Sequence, residues 1–145
     1  MRRGFEKVSG YEYVNFPKRK TKQSAGYDIE SAVNVVINPG ETKLIQTGIK
    51  AYMDENEWLG IYIRSSLAIK YGLVLANSVA VIDSDYYNNP ENEGHIMMAL
   101  RNTSGSPCAI KVGDRIAQGI FNQYYKVDDD SADGDRTGGI GSTGK

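Results

Sequence analysis

Short runs in which apolar and polar residues alternate, each closed by Gly, Pro, Asn or Asp, constrain this chain more than any other feature. Val33, Val35 and Ile37 alternate and meet the turn Asn38-Pro39-Gly40-Glu41. Ile45, Thr47, Ile49 and Ala51 repeat the period, as do residues 58–63 and 73–82. Ile96, Met98 and Leu100 follow, and Ile116, Gln118 and Ile120 make a last core strand. A period of two sends successive side chains to opposite faces of a sheet. The pattern therefore predicts an all-β chain folded as a sandwich or a barrel-like jelly roll. The one short helix it allows runs from Ser65 to Tyr71, and there is no internal repeat.

Length and charge bound the rest. A chain of 145 residues suits one domain with a real core. Its formal net charge of −1 gives no bulk attraction to nucleic acid, so no nucleic-acid partner is expected. The basic run at residues 18–22 reads as a local solvated loop. One cysteine, Cys108, excludes an intrachain disulfide. With a single histidine, His95, there is no zinc site of the usual kind, and His95 reads as an ordinary strand residue. No apolar run reaches membrane-spanning length and the N-terminus lacks an apolar signal core, so a soluble, cytoplasmic protein with no membrane partner is expected. Residues 1–127 read as the β domain. Residues 128–145 read as a mobile acidic linker followed by a Gly-rich arm.

Five polar, glycine-containing segments interrupt the strands. They are Ala25-Gly26-Tyr27-Asp28-Ile29; Arg64-Ser65-Ser66-Leu67-Ala68; residues 77–86, which hold Asn77, Asp83, Asp85 and Tyr86; Gly113-Asp114-Arg115-Ile116-Ala117-Gln118; and the tail, from Arg136 through Ile140-Gly141-Ser142-Thr143-Gly144. Singly, Asp28 and Asp114 read as Asx turns, Arg64 as half of an ion pair, and Asp83 and Asp85 as solvated turn charges. A tail of glycines, one arginine and two hydroxyls cannot build a core, yet it can close over a phosphate with backbone N–H groups and a guanidinium fork.

In order and spacing, the five segments resemble the five motifs of the trimeric dUTPase family, from Ala25 to Gly144. The resemblance implies a distorted jelly-roll β-barrel, a homotrimer with sites shared between copies, and Mg²⁺-dependent hydrolysis of dUTP to dUMP and pyrophosphate. That reaction keeps uracil out of DNA and supplies dUMP for thymidylate synthesis. Asp83 matches the catalytic aspartate that orients and deprotonates the water attacking the α-phosphorus. Tyr86 would lie under the deoxyribose and leave no room for a 2′-hydroxyl. Asn77 and the hairpin through Val79 and Ile82, with Met98, would form the uracil pocket. Arg64, Ser65, Ser66 and Gln118 would hold phosphates. Arg136, Ile140, Gly141, Ser142 and Thr143 would close over the nucleotide. Mg²⁺ would be chelated mainly by the triphosphate, and Asp28 would meet it only through water. The resemblance places the third segment and the tail on different copies.

The chain departs from the family pattern in several places. Ile140 stands where an aromatic usually stacks on the base, which predicts weaker ordering of the arm or a substitute ring such as Tyr87. The tail is one residue shorter between Arg136 and Gly138. Ser66 replaces a usual Gly. Residues 87–93 lengthen the chain after Tyr86, as a plain loop, a device that repositions Tyr86 or Tyr87, or a surface for a protein partner. Two rival readings remain. A dCTP deaminase would need a buried Glu, whereas Glu91 and Glu93 read as exposed. A regulatory protein would use the nucleotide-gated arm to bind a partner.

Overall fold

The computed structural model describes Arg2 to Gly141. Eleven strands follow one another: β1 Gly4–Lys7, β2 Tyr27–Glu30, β3 Val35–Ile37, β4 Thr42–Gln46, β5 Ile49–Tyr52, β6 Glu57–Ile63, β7 Leu73–Leu75, β8 Ala80–Asp83, β9 Met97–Asn102, β10 Cys108–Ile110 and β11 Arg115–Gln123. Helix α1, Ser65–Tyr71, joins β6 to β7, and a single 3-10 turn, Ser84–Tyr86, follows β8. The strands pair antiparallel in the orders β2-β11-β6-β8, β4-β9-β7, β1-β5 and β10-β3. The all-β expectation and the single helix both hold.

One face of each strand fills a common core. Ile29, Ile37, Ile45, Ile49, Leu59 and Ile61 are among its fully buried side chains. Each such side chain contributes about 1.5–3 kcal/mol when removed from water. The one large polar group among them, Asn102, is satisfied at both ends. Its Nδ2 donates to the carbonyls of Ile37 and Ser106, each at 2.8 Å, and its Oδ1 accepts from Ser104 N and Oγ.

Four predicted strands differ from those observed. The run from Ile45 to Ala51 splits at Thr47-Gly48 into β4 and β5, which belong to different sheets. Gly48 takes φ +71°, and a Cβ there would lie 2.8 Å from Tyr11 Cβ and 2.9 Å from its ring, so glycine alone makes this corner. Residues 73–82 split at Asn77-Ser78, where Ser78 takes φ 64°. Val33 lies outside β3, its N–H taken by Ser31 Oγ at 3.1 Å. The last strand carries a register shift between Arg115 and Ala117 where it pairs with β2. Such a bulge inserts one residue and reverses the alternation beyond it. Ile116 and Ala117 are thus both buried, while Gln118 and Ile120 are turned to the less buried face. Ile120 is not the core residue its period suggested.

Helix α1 follows Arg64, its extended N-cap residue, and stops at Gly72, whose αL conformation (φ 65°) lets its N–H reach Leu67 O. Ser66 sits in the helix without positive φ, so its replacement of Gly carries no backbone strain. His95 lies two residues before β9 rather than within a strand, and is buried. Residues 128–135 are exposed and carry no regular structure.

Candidate active site

The predicted site residues fall into two hollows. The first, of about 250 Å³, lies at the end of β8. Asn77, Ile82, Asp83 and Tyr86 line it from the β7–β8 segment, and Arg136, Ile140 and Gly141 from the arm. The β6–β8 register sets Asp83 opposite Trp58 at the last paired position, which leaves its side chain about half exposed at the rim.

Tyr86 is the fixed wall of this hollow. Its hydroxyl donates to His95 O at 2.7 Å and accepts from Asn92 Nδ2 at 2.9 Å. Burial pushes the phenol pKa up, more than the Asn92 hydrogen bond lowers it, so the group stays protonated. The Arg136 guanidinium lies 5.6 Å from the centre of the Tyr86 ring. That guanidinium also bridges two carboxylates, with Nη2 to Asp83 Oδ2 and Nε to Asp85 Oδ1, both 2.8 Å. Burial alone would lower the Arg136 pKa. The Asp85 hydrogen bond and the charges of Asp85 and Asp83 outweigh it, and the pKa is raised.

The second hollow, of about 360 Å³, is lined by Asp28, Arg64, Ser65, Ser66 and Gln118 together with Lys20, Ser24 and Gly26. The β11–β2 and β11–β6 registers set Gln118 opposite both Asp28 and Tyr62. A Cβ at Gly26 would run into Gln118 Oε1, so a side chain there would have to turn Gln118 aside. Asp28 faces two guanidinium groups, Arg115 Nη1 at 3.5 Å and Arg64 Nε at 3.9 Å. Asp114 sits at a turn but does not make an Asx turn: its Oδ2 accepts from Lys111 N, three residues back, at 2.8 Å, and its N–H donates to Lys111 O at 3.0 Å.

The two hollows share no lining residue. Asp83, Tyr86 and the arm are on one side, while Arg64, Ser65, Ser66 and Gln118 are on the other. Within one chain they do not meet, although the arm and the third segment, expected on different copies, do.

Several sequence expectations change. Met98 is fully buried in the core, and its neighbour Met97 lines the first hollow instead, a consequence of strand parity. Val79 lines neither hollow; its N–H donates to Asn77 O at 2.7 Å. Tyr87 does not substitute for the missing aromatic. Its ring packs edge-on against Tyr52 and its hydroxyl donates to Glu6 Oε1 at 2.6 Å, away from the first hollow. Glu93 is not exposed but half-buried, 2.9 Å from Lys50 Nζ. Ser142 and Thr143 lie outside the described residues. Sequence reasoning missed Asp85 as a partner of Arg136 and Lys20 as a wall of the second hollow. The signal for Lys20 was its place just upstream of the Ala25-Gly26 segment.

A sequence model of the family described as dUTPase matches residues 12–144. The deoxyuridine 5′-triphosphate nucleotidohydrolase of Lactococcus lactis subsp. lactis is 53% identical over 146 residues, spanning 98% of this chain and 97% of the relative. The crystal structure of a dUTPase from Streptococcus mutans superposes with a TM-score of 0.83 at 44% identity, covering 86% of this chain and 98% of that one. A mutant dUTPase from phage phi11 of S. aureus, described as coordinating a structural Mg(II) ion, shares the fold at 21% identity and a TM-score of 0.76, covering 92% and 98%.

Proposed function

Because the chain belongs to the dUTPase family, we propose that it hydrolyses dUTP to dUMP and pyrophosphate at sites completed between copies of itself, as a homotrimer. The observation that carries the composite site is the separation of the two hollows. Asp83, Asn77, Tyr86 and Arg136 line one, Arg64, Ser65 and Gln118 the other, and no residue lines both. One copy supplies base pocket, sugar wall and arm. A neighbouring copy supplies the phosphate cradle.

In the reaction a water oxygen bonds to the α-phosphorus, and the bridging oxygen to the β-phosphorus leaves with pyrophosphate. Asp83 aims that water and takes its proton. Tyr86, held at its hydroxyl by His95 O and Asn92, offers a ring that cannot retreat, so a 2′-hydroxyl meets a wall. Asn77, the Ala80–Ile82 segment and Met97 frame the uracil. Arg64, Ser65, Ser66 and Gln118 hold phosphate oxygens, with Lys20 adding charge at the same wall. Arg136 exchanges its two carboxylates for the γ-phosphate, and Ile140, Gly141, Ser142 and Thr143 cover the nucleotide.

Asp28 is a single carboxylate flanked by two guanidinium groups, and among the described residues no three His, Cys, Asp or Glu side chains converge on one point. That donor set does not hold a bare Mg²⁺. It does suit Mg²⁺ carried in by the triphosphate, with Asp28 reaching a bound water. The ion would neutralise phosphate charge and fix the triphosphate conformation.

Neither rival gains support. Glu91 and Glu93 are absent from the lining of the first hollow, where a deaminase would need its acid. The polar side chains of residues 87–93 are largely turned inward to one another and to Lys50, which leaves little for a protein partner. No helix among the described residues is long and apolar enough to cross a membrane, and we place the enzyme in the cytoplasm with its substrate.

Single-turnover hydrolysis in ¹⁸O-water tests the reaction. The label is expected in dUMP. Label in pyrophosphate would mean attack at the β-phosphorus and would overturn the geometry.

A further inference from the structure

Residues 87–94 form a rigid loop beside the first hollow. Asn88 and Glu93 both take positive φ, at 55° and 67°. Asn88 N donates to Glu93 O at 2.9 Å and Glu93 N to Asn89 O at 3.0 Å. Lys50, buried beneath, donates to Asn88 Oδ1 at 2.6 Å and Glu93 Oε2 at 2.9 Å. Asn89 is buried and ties the loop to Tyr86 O at 2.7 Å and to Asn92 Oδ1 at 2.8 Å. A loop held at this many points is a platform for whatever rests on it.

The arm rests there. Gly139 N donates to Glu91 Oε2 at 2.5 Å, the one hydrogen bond that the Glu91 carboxylate makes among the described residues. Gly139 also lies flat on Asn92, since a Cβ at this position would fall 2.6 Å from Asn92 Nδ2 and 2.9 Å from its Cγ. The same Nδ2 holds the Tyr86 hydroxyl. Gly138 and Gly139 are buried, whereas Ile140 is 56% exposed and contributes little apolar anchoring.

We propose that the 87–94 loop is the seat of the C-terminal arm, with Glu91 and Asn92 as positioning residues that register Gly139 against Tyr86 and so set Arg136 and Ile140 over the nucleotide. The kinetic consequence rests on the dUTPase reading; the seat itself does not. Glu91 grips the arm backbone through a charge-assisted hydrogen bond. Asn92 gives the arm and the Tyr86 ring a common support, and a side chain at 139 fits on it only if Asn92 shifts and disturbs its hydrogen bond to the Tyr86 hydroxyl.

Limited trypsin digestion of the full chain, following cleavage after Arg136, separates the seat from the reaction. Glu91→Ala is expected to speed that cleavage roughly tenfold, and Glu91→Gln, which keeps an acceptor, to stay within about threefold of wild type. Gly139→Ala, which disturbs the contact from the arm side and leaves the loop unaltered, is expected to match Glu91→Ala. In steady-state assays Glu91→Ala should raise KM for dUTP about tenfold with kcat within about threefold, and Glu91→Gln should restore it. Cleavage after Arg136 at the wild-type rate in both Glu91→Ala and Gly139→Ala would overturn the proposal. A wild type inactive on dUTP whose arm is nevertheless released by Glu91→Ala would overturn the dUTPase reading and leave the seat standing.

Discussion

Arg136 Nη2 lies 2.8 Å from Asp83 Oδ2, so the arm's only guanidinium is paired with the carboxylate assigned to the attacking water. Asp85 takes the other side of the fork at 2.8 Å. Two carboxylates this close repel one another, and the arginine between them stabilises both in the chain without nucleotide. On the proposed reading a triphosphate would compete for the same guanidinium, and its binding would free Asp83 for water.

Removing this group should therefore cost both arm closure and phosphate charge stabilisation. Arg136→Ala is expected to lower kcat/KM for dUTP by about 10–100-fold. Arg136→Lys should recover only part of this, because an ammonium cannot fork between two planar acceptors. Steady-state pyrophosphate release measures both variants, and full activity in the lysine variant would contradict the bidentate role.

Discrimination against UTP is assigned to the Tyr86 ring rather than to its hydroxyl. Tyr86→Phe keeps the ring but leaves His95 O without its 2.7 Å partner, so it should cost about 1–2 kcal/mol of stability by urea denaturation while UTP is still rejected. Tyr86→Ala should raise the UTP-to-dUTP ratio of kcat/KM at least about tenfold. Unchanged discrimination in the alanine variant would locate sugar selection elsewhere.

His95 sets a pH dependence of folding. Burial lowers its pKa, only partly offset by the charge of Glu93, and its Nε2 accepts from Gly48 N at 2.9 Å, which requires that nitrogen unprotonated. The folded pKa lies below the unfolded value of about 6.5, so this contribution is complete above that pH and is lost as pH falls below it. Glu93, whose pKa Lys50 lowers, contributes in the same direction only at the lower pH of the carboxylate range. Denaturation midpoints between pH 7 and 5.5 should thus fall in wild type and fall less in His95→Gln. Equal slopes would remove His95 as the cause.

The composite site predicts complementation. Asp83→Asn and Arg64→Ala chains, each inactive alone, should regain activity when unfolded together and refolded. Random assembly puts the intact carboxylate half opposite the intact cradle half in about a quarter of the sites. No recovery would mean that each chain carries a whole site.

Sequence reasoning reached the strands and the helix because period two and turn residues are local signals, and the order of the five segments pointed to most residues that line the two hollows. It failed where a single backbone event reset parity. The bulge before Ala117 turned Ile120 away from the core. In β9 the period of two held: Met98 shares the buried face of Ile96 and Leu100, and the pocket place given to it by the resemblance falls to Met97. The corner at Gly48 depends on Tyr11, thirty-seven positions upstream, and no local pattern announces it. The arm's contacts with Asp85 and Glu91 span 51 and 48 residues, and such pairings become visible only once the chain is folded.

The central claim is that this chain hydrolyses dUTP selectively and that Asp83 is essential to it. Pyrophosphate release from dUTP, dCTP, dTTP and UTP with Mg²⁺, for wild type and Asp83→Asn, addresses both halves together. The account predicts turnover of dUTP alone, reduced at least about a thousandfold in the variant, a loss on the scale of a lost general base. Turnover of another nucleotide at a comparable rate, or an Asp83→Asn variant as active as wild type, would contradict it.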